Sequence, residues 1–108
     1  EKFFITKNIN KVPFMNLVLN VKKEYKKLIP SVVHFDNSCR VHTVNIHDNL
    51  RYFKLIENFY KKTKIPILLN TSLNVNEPIC ESPQNALDCF LGTDMDILII
   101  NDFAFKKN

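Results

Sequence analysis

Ile65 to Leu69 reads Ile-Pro-Ile-Leu-Leu and breaks at once into Asn70-Thr71-Ser72-Leu73-Asn74, with no glycine to ease the turn. A run that apolar predicts a buried strand, because neither face of the extended segment is suited to water. Its polar successors then stand at the carboxyl end of that strand, where open α/β sheets bind their ligands. Asn70, Thr71, Ser72 and Asn74 offer neutral donors and acceptors suited to a small polar or anionic molecule. A plain turn accounts for the same residue types on composition alone, since Asn and Ser favour loops.

With 108 residues the chain is one domain or part of one, long enough to bury a core. It opens on Glu1 rather than methionine, which predicts a piece of something longer. No apolar run reaches the roughly 20 residues of a membrane helix, so no membrane partner is expected. Cys39, Cys80 and Cys89 form no CxxC and leave one thiol over, predicting reduced cysteines and a cytoplasmic protein. The three cysteines and three histidines are spaced irregularly and match no zinc pattern, so no metal site is expected.

The net charge of +4 rests on thirteen lysines, against only Arg40 and Arg51. The lysines cluster at 22–27, 61–64 and 106–107 with no aromatic platform between them, which reads as solvated surface rather than a nucleic-acid groove. Where arginine is scarce, each is a candidate for a task that needs a planar fork of donors.

Along the chain, Phe14 to Val21 predicts a strand and Lys22 to Leu28 a charged turn or short helix ended by Pro30. Val32 to Phe35 and Arg40 to Val44 predict two strands around a turn at Asp36-Asn37-Ser38. Alternation puts Arg40, His42 and Val44 on one face, with Val41 and Thr43 on the other. Asp48 and Asn49 can cap a helix whose Tyr52, Ile56 and Phe59, with Phe53 and Tyr60 beside them, form a core-facing stripe. Ser82 and Pro83 open a second helix that buries Ala86, Leu87, Phe90 and Leu91, and Gly92, the only glycine, suits a left-handed helix end. Ile97 to Ile100 is a further apolar strand. Helix, strand, helix, strand in the second half predicts a right-handed crossover and a parallel pair. The fold class is therefore α/β (α+β), a twisted mixed sheet with two main helices.

His34 and Asp36, two apart, suit either proton transfer or a structural hydrogen bond at a turn, and the turn is the commoner use. Arg51, in the first turn of a helix where the dipole disfavours a cation, reads as surface or as paired with a carboxylate.

Several segments, in order, resemble the C-terminal region of the NodU/CmcH-type carbamoyltransferases. They are Val12-Pro13-Phe14-Met15, His34-Phe35-Asp36, Cys39 to Val44, Asp48-Asn49 with Arg51-Tyr52, and Ile65 to Asn74. Glu77-Pro78-Ile79, Ser82-Pro83, Ala86-Leu87, Cys89-Phe90-Leu91 and Asp94 to Phe103 complete the set, so the likeness spans residues 1–108. The resemblance implies a C-terminal part of a YrdC-like domain that uses ATP, with Mg, to make carbamoyl-adenylate from carbamoyl phosphate. An N-terminal actin-like domain, which carries the family's metal, passes the carbamoyl group to a small-molecule hydroxyl acceptor. By the same resemblance Arg40 is the catalytic cation, and Asn70 and Ser72 belong to the substrate pocket. Thr71 and Asn74 are expected in the same substrate-binding segment, where their chemistry suits shaping the loop. A guanidinium grips phosphate oxygens through paired hydrogen bonds and stabilises charge developing at the α-phosphate.

The sequence departs from the family at Leu73, usually Phe, at His42, usually Gln, and at Leu50, usually Pro. The loop at Asn76-Glu77 lacks the family's glycine and is one residue shorter. The family's other pocket cations lie upstream of the matching region. A non-catalytic nucleotide- or RNA-binding module related to YrdC proteins is the alternative function, and a structural subdomain docked on a larger core is the third.

Overall fold

The computed structural model describes residues 2–107 and divides into two compact units, with the boundary between Leu69 and Asn70. Each unit holds one helix and one two-stranded antiparallel sheet.

In the first unit, strand β1 is Leu17–Asn20 and β2 is Ser38–Val41, paired so that Val18 faces Arg40 and Leu19 faces Cys39. The chain before β1 lies along its other end. Phe4 bridges Val21, Ile5 N donates to Asn20 O at 2.9 Å, and Lys22 N donates to Phe3 O at 2.9 Å. Between the strands run two single 3-10 turns, Lys23–Tyr25 and Pro30–Val32. Phe3, Val21, Ile29 and Cys39 are buried together, with Tyr25, Val41, Ile65 and Ile67 packed around them. The Phe3 and Tyr25 rings meet at 4.9 Å and 59°, the tilted arrangement that ring quadrupoles favour.

Helix α1 is Leu50–Thr63 and starts as its sequence dictates: Asn49 is extended and its side chain accepts from Tyr52 N. It ends at Lys64, whose φ of 63° turns the chain out of the helix while its N–H still donates to Tyr60 O. Its aromatic stripe is not buried core. Tyr52, Phe53 and Ile56 are half-buried and Phe59 and Tyr60 are exposed, because the β1–β2 sheet of the first unit does not pack over the helix.

In the second unit, helix α2 is Pro83–Leu91, with Ser82 Oγ accepting from Asn85 N as its cap. Strand β3 is Ile97–Ile100 and turns through Asn101-Asp102 into β4, Phe103–Lys106. Asn101 takes a φ of 54° at the first central position of this two-residue turn, as a tight hairpin requires. The core is Ala86, Phe90 and Leu98, with Leu73, Cys80, Leu87, Met95 and Ile100 against it. Lys107 lays its ammonium 5.0 Å above the Phe90 ring and donates to Thr93 O, just past the end of α2.

The α+β class and both helices stand, and several strand expectations are corrected. Ile65 to Leu69 is not a strand: Pro66 has no N–H to give a ladder, and the run lays Ile65 and Ile67 on the first core while Leu69 stays exposed. Val32 to Phe35 is not a strand either. Pro30 starts a 3-10 turn through Val32, Phe35 is fully exposed, and β2 pairs with β1 instead. The parallel pair is absent among the described residues, since β3 takes the partner that a two-residue turn delivers and no crossover is needed. The sheet is accordingly two small antiparallel sheets rather than one mixed one. Leu91 is exposed on α2, and β3 buries only Leu98 fully, with Ile97 and Ile99 open. Gly92 ends α2 at a φ of −82°, so the left-handed conformation expected there is not used.

Candidate functional site

Arg40 is the third residue of β2, exposed beside Val18 of β1. The strand buries Ser38 and Cys39 and leaves Arg40 outside, so the guanidinium meets water and has no partner among the described residues. His42 is exposed as well, one residue past the end of β2. Arg51 is exposed in the first turn of α1.

The turn before β2 resolves the roles of His34 and Asp36. His34 Nδ1 lies 2.9 Å from Ser38 Oγ, Asp36 Oδ1 accepts from Ser38 N at 3.0 Å, and His34 N donates to Ser38 O. Asn37, at a φ of 67°, makes the reversal. Ser38 hydrogen bonds, side chain first and backbone next, hold the Asp36 carboxyl below its ordinary value, with His34 adding to the effect. This is a structural turn that aims β2, the commoner of the two uses expected for the pair.

Asn70, Thr71, Ser72 and Asn74 begin the second unit, whereas Arg40 belongs to the first. Asn70, Thr71 and Ser72 are exposed, and the Thr71 and Ser72 hydroxyls have no partner among the described residues. Asn74 is half-buried, and its Nδ2 donates to Glu77 O at 2.9 Å, which makes it a loop-shaping residue. Thr71 shows no such bond.

Glu77 closes the same loop from the other side. Its carboxylate accepts from Val75 N at 3.1 Å and from Asn76 N at 3.0 Å. Backbone amides, its own first and then those of Val75 and Asn76, hold the Glu77 carboxyl below its ordinary value. Beyond it the chain runs back to the core, with Cys80 N donating to Leu73 O at 3.0 Å. Cys89, on α2, completes a group that spacing did not reveal: the ligand atoms of Glu77, Cys80 and Cys89 all lie within 4.8 Å of one another. Burial pushes the Cys89 thiol up, with Cys80 and Glu77 adding to the shift. The only trace in the sequence is Glu-x-x-Cys followed by a cysteine about two helix turns into a capped helix. Glu77 and Cys89 also line an open cleft of about 690 Å³ together with Asn76, Pro78, Asn85 and Asp88.

The chain is thus a mixed α+β module of two units, with one exposed arginine on a strand and an exposed Asn-Thr-Ser segment opening the second unit. It belongs to the family described as Carbamoyltransferase C-terminus, whose model matches residues 1–107. It is 40% identical over 108 residues to the nodulation protein NolNO of Sinorhizobium fredii, covering 99% of this chain and 16% of that protein. It is 38% identical, again over 108 residues, to the nodulation protein NolO of Bradyrhizobium diazoefficiens, covering 99% of this chain and 20% of the relative. Nodulation protein U of Rhizobium tropici is 36% identical over 64 residues, which are 59% of this chain and 11% of that protein. The chain therefore spans a fifth or less of the length of these relatives. No helix among the described residues is long and apolar enough to cross a membrane.

Proposed function

We propose that this chain is the C-terminal, YrdC-like part of an O-carbamoyltransferase and that it binds carbamoyl phosphate and its adenylate. Family membership across residues 1–107 is the observation that carries the reading. The small share of each relative that the chain covers supports a role within a longer enzyme, whose other domain would hold the metal and the hydroxyl acceptor.

Arg40 is the phosphate ligand. An unpaired, water-exposed guanidinium is free to take two oxygens of a phosphate at once, and it need not break an internal ion pair to do so. Asn70 donates to a carbonyl or phosphoryl oxygen, while the Ser72 hydroxyl accepts from the carbamoyl NH2 or donates to phosphate. Thr71 offers a second hydroxyl in the same exposed segment. The amide and hydroxyls of this segment can hydrogen-bond the phosphate oxygens of ATP, whose Mg²⁺ would be held on the triphosphate together with carboxylates from elsewhere in the enzyme. In the adenylation carbamoyl phosphate gives up its phosphoryl group to water as inorganic phosphate. An oxygen of the carbamate so released attacks the α-phosphorus of ATP, and pyrophosphate leaves, so the attacking group comes from the substrate and not from the protein. Its contribution is positioning, plus a fixed cation where negative charge builds.

Titrating the isotope-labelled chain with carbamoyl phosphate, and following backbone amide shifts, tests the reading. Saturable shifts at Arg40 and across Asn70 to Asn74 are expected, weakened at least about tenfold in Arg40→Ala, since a charge-assisted pair contributes roughly 1.5–3 kcal/mol. Shifts of equal affinity in Arg40→Ala would remove Arg40 from the site, and a folded chain whose amides do not move would remove the ligand.

A further inference from the structure

We propose that Glu77, Cys80 and Cys89 form a binding site for a thiophilic divalent cation of the zinc type, open to solvent at its fourth position. Two sulfur ligands and one carboxylate converge here, drawn from three differently anchored pieces of backbone. Cys89 is buried on α2, Cys80 sits on a segment tied to Leu73 O, and Glu77 sits on a loop closed by Asn74. Their donor atoms lie within 4.8 Å of one another. A tetrahedral zinc with sulfur at about 2.3 Å sets its ligands roughly 3.8 Å apart, so adjustments of about 1 Å close the group on an ion.

The surroundings fit as well as the ligands. Metal-bound carboxylates are commonly oriented by further hydrogen bonds, and both Glu77 oxygens are already held by the amides of Val75 and Asn76. Two thiolates favour zinc and its soft congeners over magnesium or calcium. Glu77 and Cys89 line an open cleft, which leaves room for water or a small ligand at a fourth position. The other free cysteine, Cys39, is buried in the first unit and takes no part. Binding would replace the thiol protons with the ion and fix the turn that follows Asn74, independently of whether carbamoyl phosphate binds.

The test is a titration of the reduced, chelator-treated protein with Co²⁺ in the absence of air, followed by Zn²⁺. One equivalent of Co²⁺ should bring up the thiolate-to-cobalt charge-transfer band and the visible bands of a tetrahedral ion. Zn²⁺ should then bleach both. Cys39→Ser should behave as the parent, while Cys80→Ser and Cys89→Ser should lose most of the charge-transfer intensity. Glu77→Gln, an exposed change that spares the core, should keep the thiolate band but bind at least about tenfold more weakly. A parent protein that raises no band overturns the site. So does a band that survives Cys89→Ser unchanged, or a Cys80–Cys89 pair that closes to a disulfide in air yet takes up no cobalt when reduced.

Discussion

Arg40 owes its availability to the two residues before it. Cys39 is buried in the core, so strand alternation turns Arg40 to the opposite face and into water, while Ser38 on that same face is covered by its hydrogen bonds with the turn. Lysine is the usual cation of this chain, yet it cannot copy the bidentate fork, and Arg40→Lys is expected to lose most of the carbamoyl phosphate affinity that Arg40→Ala loses. The same titration read on both variants checks this. Asp36 carries the other residue-scale prediction. Its folded pKa is lowered by Ser38, so its contribution to stability is present above the ordinary carboxylate pKa and is lost as pH falls through the lowered value. Denaturant midpoints followed downward from about pH 5 should therefore fall less steeply in Asp36→Asn than in the parent. Equal slopes would mean that the Ser38 contacts form in the unfolded chain too, or not at all.

At the scale of elements, both helices are defined by short-range chemistry. Asn49 and Ser82 each satisfy an amide of the first turn, and Pro83 occupies a position where its missing N–H costs nothing. Ser82→Ala should lower stability by about 1 kcal/mol, as should Asn49→Ala. Gly92 separates two accounts of the end of α2. A left-handed glycine would make Gly92→Ala destabilising, but at a φ of −82° alanine fits. Its Cβ would come no nearer than 3.4 Å to Asp88 O. A gain of roughly 0.4–1 kcal/mol is expected, from the smaller entropy of the unfolded chain. Thermal melts of the two α2 variants should therefore shift in opposite directions.

Over the molecule as a whole, each unit builds its own small core and leaves much apolar surface uncovered, including Phe14, Phe35, Ile99 and Phe103. Phe90 is the largest fully buried side chain, 1% exposed, with Lys107 over its ring and Leu98 of β3 in the same cluster. Phe90→Ala should cost about 3–5 kcal/mol, more than a module of this size can spare. Amide exchange should then lose protection along α2 and β3 together, and loss confined to α2 alone would contradict a shared core.

What could be read from the chain itself was the part governed by local chemistry. The caps of both helices, the turn at Asp36-Asn37-Ser38 and the bond of Asn74 within its loop all follow from residues a few positions apart, and the family membership from motifs ordered along residues 1–107. Side-chain hydrogen bonds to nearby backbone groups, amides for Asp36, Asn49 and Ser82 and a carbonyl for Asn74, decide those local features. Tertiary structure alone decided strand pairing. Ile65 to Leu69 is apolar enough for a buried strand, but apolarity selects burial and not a hydrogen-bonding partner, and Pro66 removes a donor. β3 took its neighbour from a two-residue turn rather than from a crossover, because the shorter loop closes at less entropic cost. The Glu77, Cys80 and Cys89 group was equally beyond spacing, since it exists only once α2 folds back over the loop that precedes it.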